Sequence, residues 1–176
     1  MDLHNLARQW FIGARRIELQ KLAVELGISR ATAYRWAGSA EQLVGEVLAS
    51  ILDDTFARLS KDSTEQGAER IVSVLTKGMR YAHAFVPLKK FLAKDPQLSL
   101  RIVASPHGPV QARTVGNIDA LLQEESAAGH LVLPGDTAEM ALALTRVVES
   151  FLYTDLITGA TPDYDEAGGV LRLMLR

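Results

Sequence analysis

The stretch from Leu22 to Leu48, LAVELGISRATAYRWAGSAEQLVGEVL, constrains the fold more than any other part of the chain. Leu19, Leu22, Ala23 and Leu26 recur at i, i+3, i+4 and i+7, which is one apolar helix face. Gly27 follows, a residue that tolerates positive φ and so ends helices. Ser29 then stands as a good N-cap for a short helix over about Arg30 to Trp36. That helix carries Arg30, Thr32, Tyr34, Arg35 and Trp36, side chains that hydrogen-bond phosphates or base edges or stack on sugars. A helix, a glycine turn and a second short helix so equipped make a helix-turn-helix pattern. Ser39, with Gln42 three residues on, forms a capping box for a longer helix. Leu43, Val47, Leu48, Ile51, Leu52 and Phe56 carry its apolar face to about Ser60.

The rest of the chain reads as all-α. A first helix runs from Asp2, a plausible N-cap, to a stop at Gly13, with Leu3, Leu6, Ala7, Trp10 and Phe11 on one face. The polar cluster KDSTEQG, Lys61 to Gly67, is a linker, after which Ser63 or Thr64 caps a fifth helix reaching about Phe85. Pro87 opens a short helix, and Asp95-Pro96 is a cap pair for another over Gln97 to Ala104. Ser105 to Pro109 is a loop, and a helix follows from about Val110 to Ala128, stopped by Gly129. His130-Leu131-Val132-Leu133 looks strand-like but ends at Pro134-Gly135 and is read as a linker. Asp136 then opens a long helix, apolar on more than one face, that ends at Gly159. The last helix, about Tyr164 to Arg176, is too apolar for an exposed terminus and should be covered. Gly168-Gly169 inside it costs about 1 kcal/mol per glycine relative to alanine. Either a close helix–helix approach at a dimer axis or a break or delayed helix start after Gly169 accounts for the pair.

The formal net charge of −2 carries no global nucleic-acid signature. Its distribution does: residues 1–39 hold six arginines and lysines against three acidic side chains, a net +3, which leaves −5 for the remainder. An apolar fraction of 48% suffices for a full core. The absence of cysteine removes disulfides and zinc knuckles. Met1 is followed by Asp2 without a basic start and apolar run, and no apolar stretch approaches about 18 residues, so neither a signal peptide nor a membrane span is expected. No Gly-x-Ser-x-Gly elbow, Walker loop or Gly-x-Gly-x-x-Gly is present. His4, His83, His107 and His130 are scattered, so no metal site, cofactor or enzyme activity is expected. Glu124-Glu125 and Asp53-Asp54 are adjacent pairs whose side chains diverge on a helix, so neither is a ready dyad.

The segment Leu22–Leu48 resembles the DNA-binding region of the TetR family of bacterial transcriptional regulators. The family pattern LA-x-x-LGVS-x-x-T-L-Y is matched at Leu22, Ala23, Leu26, Gly27, Ser29, Thr32 and Tyr34, and its continuation at Ser39 and Leu43. The resemblance implies a helix-turn-helix DNA-binding domain over residues 1–48 and a helical domain for ligand binding and dimerisation over 49–176. It implies a cytoplasmic homodimer, joined through the last two helices, that represses from a palindromic double-stranded operator and is released by a small-molecule effector. Gln20, Ser29, Arg30, Thr32, Tyr34, Arg35 and Trp36 are then the DNA-binding candidates. Arg30 and Thr32 would lie nearest base edges, with Tyr34 and Gln20 on phosphates. Departures from the pattern are the missing basic arm, the missing capping threonine before the second helix, Ala40 in place of a basic residue and Ala37 in place of an aromatic one. They keep open a second reading, a helical ligand-binding or interaction module without significant DNA binding. Arg15 and Arg16 are either substitutes for the lost phosphate contacts or a solvated surface pair.

The effector candidates are Met79, His83, Phe91, Asn117, Leu121, Phe151 and Tyr153, apolar side chains with a few polar anchors on the fifth to later helices. RRIELQKLA and AYRWAGSAEQLVGEVL also resemble the branch of the family that controls γ-lactone and quorum-signal catabolism, which implies a lactone-like effector.

Overall fold

The computed structural model describes residues 2–176, and among them the chain is helical throughout, with no strand. Helices α1 (Leu3–Ile12), α2 (Leu19–Leu26), α3 (Arg30–Ala37) and α4 (Ala40–Asp62) are followed by α5 (Gly67–Ala84), α6 (Val86–Lys94) and α7 (Pro96–Val103). Then come α8 (Pro109–Ala127), α9 (Thr137–Leu152), α10 (Thr154–Thr158) and α11 (Tyr164–Met174). None is long and apolar enough to cross a membrane. The helices form two compact units that are not contiguous in sequence. One comprises the chain up to Ile51 together with Phe85–Gln111; the other comprises Leu52–Ala84 and Ala112–Arg176.

The first unit is built on α1. Its face of Leu3, Leu6, Ala7, Trp10 and Phe11 is buried, as the spacing predicts, with Leu22 and Ala23 of α2 and Ala33 of α3. Asp2 caps α1 by accepting from the Asn5 N–H. The sharp turn after α1 falls one residue later than expected. Gly13 keeps φ −75°, and Ala14 takes the left-handed φ of 53°. Helix α6 joins this unit through Phe11, whose ring meets Phe85 and Phe91 at centroid distances of 6.4 and 5.8 Å. Ser99 Oγ donates to the Phe91 carbonyl at 2.9 Å, tying α7 to α6. Arg101 Nη2 donates to both Glu41 carboxylate oxygens at 3.2 Å, tying α7 to the first turn of α4.

The second unit is a four-helix core. Ile71, Val72, Val74, Leu75 and Met79 of α5 bury against Ile118, Leu121 and Leu122 of α8, Ala141 and Leu144 of α9, and Tyr164, Ala167 and Leu171 of α11. Leu131 also joins this cluster, from the connector read as a linker, which is irregular.

Several sequence expectations change. The N-terminus of α5 is not capped by Ser63 or Thr64; the Ser63 hydroxyl and the Thr64 backbone N–H donate to the Glu65 carboxylate instead. Its cap comes from far along the chain: Glu125 Oε2 accepts from the Gly67 N–H at 2.5 Å. Glu125 also accepts from Arg70 Nη1 and lies 3.2 Å from His130 Nδ1. Arg70 reaches Glu124 as well, and the Ser60 carbonyl in the last turns of α4. The adjacent pair Glu124-Glu125 thus shares one guanidinium. Burial alone would raise the Glu125 carboxyl, but Arg70, the Gly67 N–H and His130 outweigh it and hold it below its ordinary value.

The long helix after Asp136 does not run unbroken to Gly159. It ends at Leu152, and Tyr153 (φ −105°, ψ 15°) separates it from α10. Thr154 Oγ1 donates back to the Ser150 carbonyl at 2.7 Å, a side-chain bond that competes with the helical ladder and bends it. Nor is α9 buried on two faces within the chain: Ala141, Leu144 and Thr145 are enclosed, while Leu142 is 46% exposed. On α11, Tyr164, Ala167 and Leu171 are covered by the core as expected, while Leu173 on the other face is 64% exposed.

Helix α11 continues through Gly168-Gly169 without a break. Gly168 is the close approach, made within the chain: a Cβ there would lie 3.3 Å from Thr76 Cγ2 and 3.6 Å from Val72 Cγ1 of α5. A Cβ on Gly169 would meet nothing.

Candidate nucleic-acid interface

The helix-turn-helix is built from short-range chemistry. Gly27 adopts φ 66°, and the Gly27 and Ile28 amides close α2 on the Val24 and Ala23 carbonyls. Ser29 Oγ accepts from the Thr32 N–H at 3.1 Å, the expected N-cap of α3, and lies 2.9 Å from Thr32 Oγ1. Those two hydroxyls are thus joined to each other at the start of the helix. Ala33 and Ala37 are buried, and their small side chains let α3 sit low on its neighbours. Gly38, at φ 68°, turns the chain into α4. Half of the expected capping box is present there. Ser39 Oγ accepts from the Gln42 N–H at 3.0 Å, while the Gln42 amide oxygen lies over the Gly38 Cα rather than on the Ser39 N–H. The Ser39 N–H bonds the Ala37 carbonyl instead.

With Ala33 and Ala37 turned inward, α3 presents Arg30, Tyr34, Arg35 and Trp36 outward, all exposed, with Thr32 half-buried beside them. An indole 58% exposed and a phenol 45% exposed on so short a helix are apolar area left uncovered by the fold. Arg30 and Arg35 have no ion pair among the described residues. Gln20 is exposed in the first turn of α2, on the same module. The fold therefore brings all seven DNA-binding candidates onto one small three-helix assembly, with Ser29 in a capping role. Arg15 is committed elsewhere: its guanidinium stacks 3.8 Å from the Trp10 ring centroid and pairs with Glu25 at 3.7 Å. Arg16 makes no ion pair among the described residues and is exposed.

The effector candidates do not converge. Met79 and Leu121 are in the core of the second unit, and Phe151 lies against that core, partly buried. His83 is half-buried, edge-on to Tyr164 at 5.8 Å between centroids. Asn117 Nδ2 donates to Asp53 Oδ1 at 2.8 Å, and Arg113 Nη1 to the other oxygen at 2.6 Å, so the amide is already engaged. Tyr153 is buried, and desolvation, with the Glu149 charge, pushes its phenol up. Phe91 belongs to the other unit, against Phe11. A cleft of about 200 Å³ does exist in the second unit, between α5 and α11, lined by Glu69, Ser73, Thr76, Tyr164, Asp165 and Arg172 among others. None of the seven candidates lines it. Polar residues on two helices that happen to face each other leave no mark in a single sequence.

Residues 66–176 match the family model described as Tetracyclin repressor-like, C-terminal domain. The fold is similar to that of the R. erythropolis TetR-family transcriptional repressor QsdR, with a TM-score of 0.94 at 25% identity over 98% of this chain and 92% of that one. It is also similar to the Bacillus subtilis transcriptional regulator FadR, solved in complex with stearoyl-CoA, with a TM-score of 0.59 at 13% identity over 98% of this chain and 96% of that one. No curated protein matches the sequence.

Proposed function

The chain belongs to the TetR family of ligand-responsive transcriptional regulators, and from that premise we propose that it is a homodimeric repressor whose two α3 helices enter successive major grooves of a palindromic operator. The observation that carries this reading is the outward face of α3, where Arg30, Tyr34, Arg35 and Trp36 stand exposed and the two arginines lack an ion pair among the described residues. Arg30 and Thr32 sit at the start of the helix, nearest base edges. Tyr34, Arg35, Trp36 and Gln20 grip phosphate and sugar, and Ser29 holds the helix start in shape. The exposed Leu142 of α9 and Leu173 of α11 are apolar area that a second copy would cover, which supports a dimer through the last long helices.

A small effector in the domain spanning residues 49–176 releases the operator. It does so only to the extent that it binds the non-operator dimer geometry more tightly than the operator-bound one. A partly apolar lactone is the class suggested by the sequence resemblance.

The test is an electrophoretic shift with DNA from upstream of the protein's own gene, repeated across salt concentrations. Binding should weaken steeply with salt. Arg30→Ala should cost about 1–3 kcal/mol at particular base pairs, whereas Tyr34→Phe should weaken all operator variants alike. Salt-independent binding, or none, would sink the DNA reading. Uniform loss from Arg30→Ala would remove only its base-reading role.

A further inference from the structure

Most of the net positive charge of the first unit comes from outside its N-terminal segment. Up to Ile51 the chain carries six basic and five acidic side chains, a net of +1. The inserted segment Phe85–Gln111 carries Lys89, Lys90, Lys94 and Arg101 against Asp95 alone, a net of +3. Arg101 is spent on Glu41. The three lysines of α6 are exposed and form no ion pair among the described residues.

Their position is fixed by packing. Phe11 at the end of α1 holds both Phe85 and Phe91, which anchors α6 beside the turn that leads into α2. Lys90 and Lys94 are four residues apart and share one helix face, while Lys89 lies about 100° away around the axis. Lys94 lies close enough to Glu18, the residue before α2, to act on its carboxyl. That carboxyl is held below its ordinary value first by the Lys21 hydrogen bond and then by the charges of Lys21, Arg16 and Lys94. Arg16, Lys21 and Lys94 therefore all act on the one carboxylate at the entrance of α2. Local potential there is positive, and the side chains are long, flexible point charges of the kind that hold phosphates without reading sequence.

We propose that Lys90 and Lys94 of α6 form an auxiliary phosphate site that holds the DNA backbone flanking the groove entered by α3. The proposal rests on the DNA-binding reading. It makes a helix outside the helix-turn-helix part of the operator contact, and it locates the positive charge that residues up to Ile51 supply so sparsely.

The experiment measures operator affinity of the full chain against salt by fluorescence anisotropy, for the unaltered protein, Lys90→Gln/Lys94→Gln and Lys89→Gln. Each phosphate contact contributes about 0.9 to the slope of log K on log salt, so loss of one or both lysines in each of two protomers lowers the slope by about 1.8–3.6. Between about 50 and 200 mM salt, the fall in affinity then becomes about 12- to 150-fold shallower. Lys89→Gln should leave the slope unchanged. An unchanged slope in the double variant, with the unaltered protein binding normally, would overturn this site and leave the α3 reading standing. An equal effect from Lys89→Gln would overturn the assignment to one face of α6. Absence of salt-dependent binding by the unaltered protein would overturn both readings together.

Discussion

Replacing Glu125 by alanine should be among the most damaging single substitutions in the chain. The carboxylate side chain is 3% exposed and receives the Gly67 N–H, Arg70 and His130. Its removal leaves the Arg70 guanidinium, 14% exposed, with the solvent-side Glu124 as its one acidic partner beside the Ser60 carbonyl, and orphans the first amide of α5. Breaking a buried pair by removing one partner costs about 3–5 kcal/mol, because the remaining charge stays desolvated. Against a total stability of about 5–15 kcal/mol this is a large fraction. For a chain of this size it corresponds to a midpoint about 6–20 °C lower.

Glu125→Gln keeps the shape and one acceptor and exchanges charge-assisted bonds for neutral ones, so about 1–3 kcal/mol is expected. The pair also couples. Glu125→Leu combined with Arg70→Met should be more stable than Glu125→Leu alone, since no unpaired charge remains. Urea unfolding followed by far-ultraviolet circular dichroism measures all four, together with Arg70→Met alone to close the cycle. A Glu125→Ala protein within 1 kcal/mol of the unaltered one, or strictly additive effects in the double variant, would refute the reasoning. The pH dependence has a definite sign. Because the folded carboxyl is held below its ordinary value of 4.5, its contribution is complete above that pH and is lost as pH falls through the lower folded value. Stability of the unaltered protein should therefore drop on acidification below about pH 4.5, and Glu125→Gln should flatten that limb.

Three smaller effects follow from the same coordinates. Ala14→Gly should raise stability by up to about 1 kcal/mol, because alanine at φ 53° is strained and glycine is not; a loss in urea unfolding would show that the turn does not demand the left-handed region. Gly168→Leu should cost about 1–3 kcal/mol by overpacking Thr76 and Val72, whereas Gly169→Ala should gain about 0.5–1 kcal/mol; a loss at Gly169 accompanied by weaker association in sedimentation would place it in the subunit contact. Tyr164→Phe should leave thermal stability unchanged or slightly higher, since the buried hydroxyl has no hydrogen-bond partner, and a fall of more than about 1 kcal/mol would contradict that.

What could be read in advance and what could not divide along the range of the interactions. The α2–turn–α3 segment is written locally. Gly27 is needed for a positive φ, and Ser29 bonds an amide three residues on. Each of these signals acts within about one turn of helix, so the sequence states them in order. The α5 cap is different. Ser63 and Thr64 are good local caps by composition, yet Glu125 takes the position from 58 residues away, because burial on α8 leaves its carboxylate in need of donors and the first amides of α5 supply one. The same reasoning explains Glu124-Glu125. Adjacent carboxylates diverge by about 100° on a helix, which excludes a shared proton but not a shared cation, and Arg70 is long enough to reach both. Phe91 illustrates the remaining gap. Its helix lies beyond the linker that the polar cluster suggested, and nothing within α6 says that Phe11 is its partner. A face shared by distant segments is decided by which apolar surfaces meet, and that decision assigned both Phe91 and the neighbouring lysines to the helix-turn-helix unit rather than to the second one.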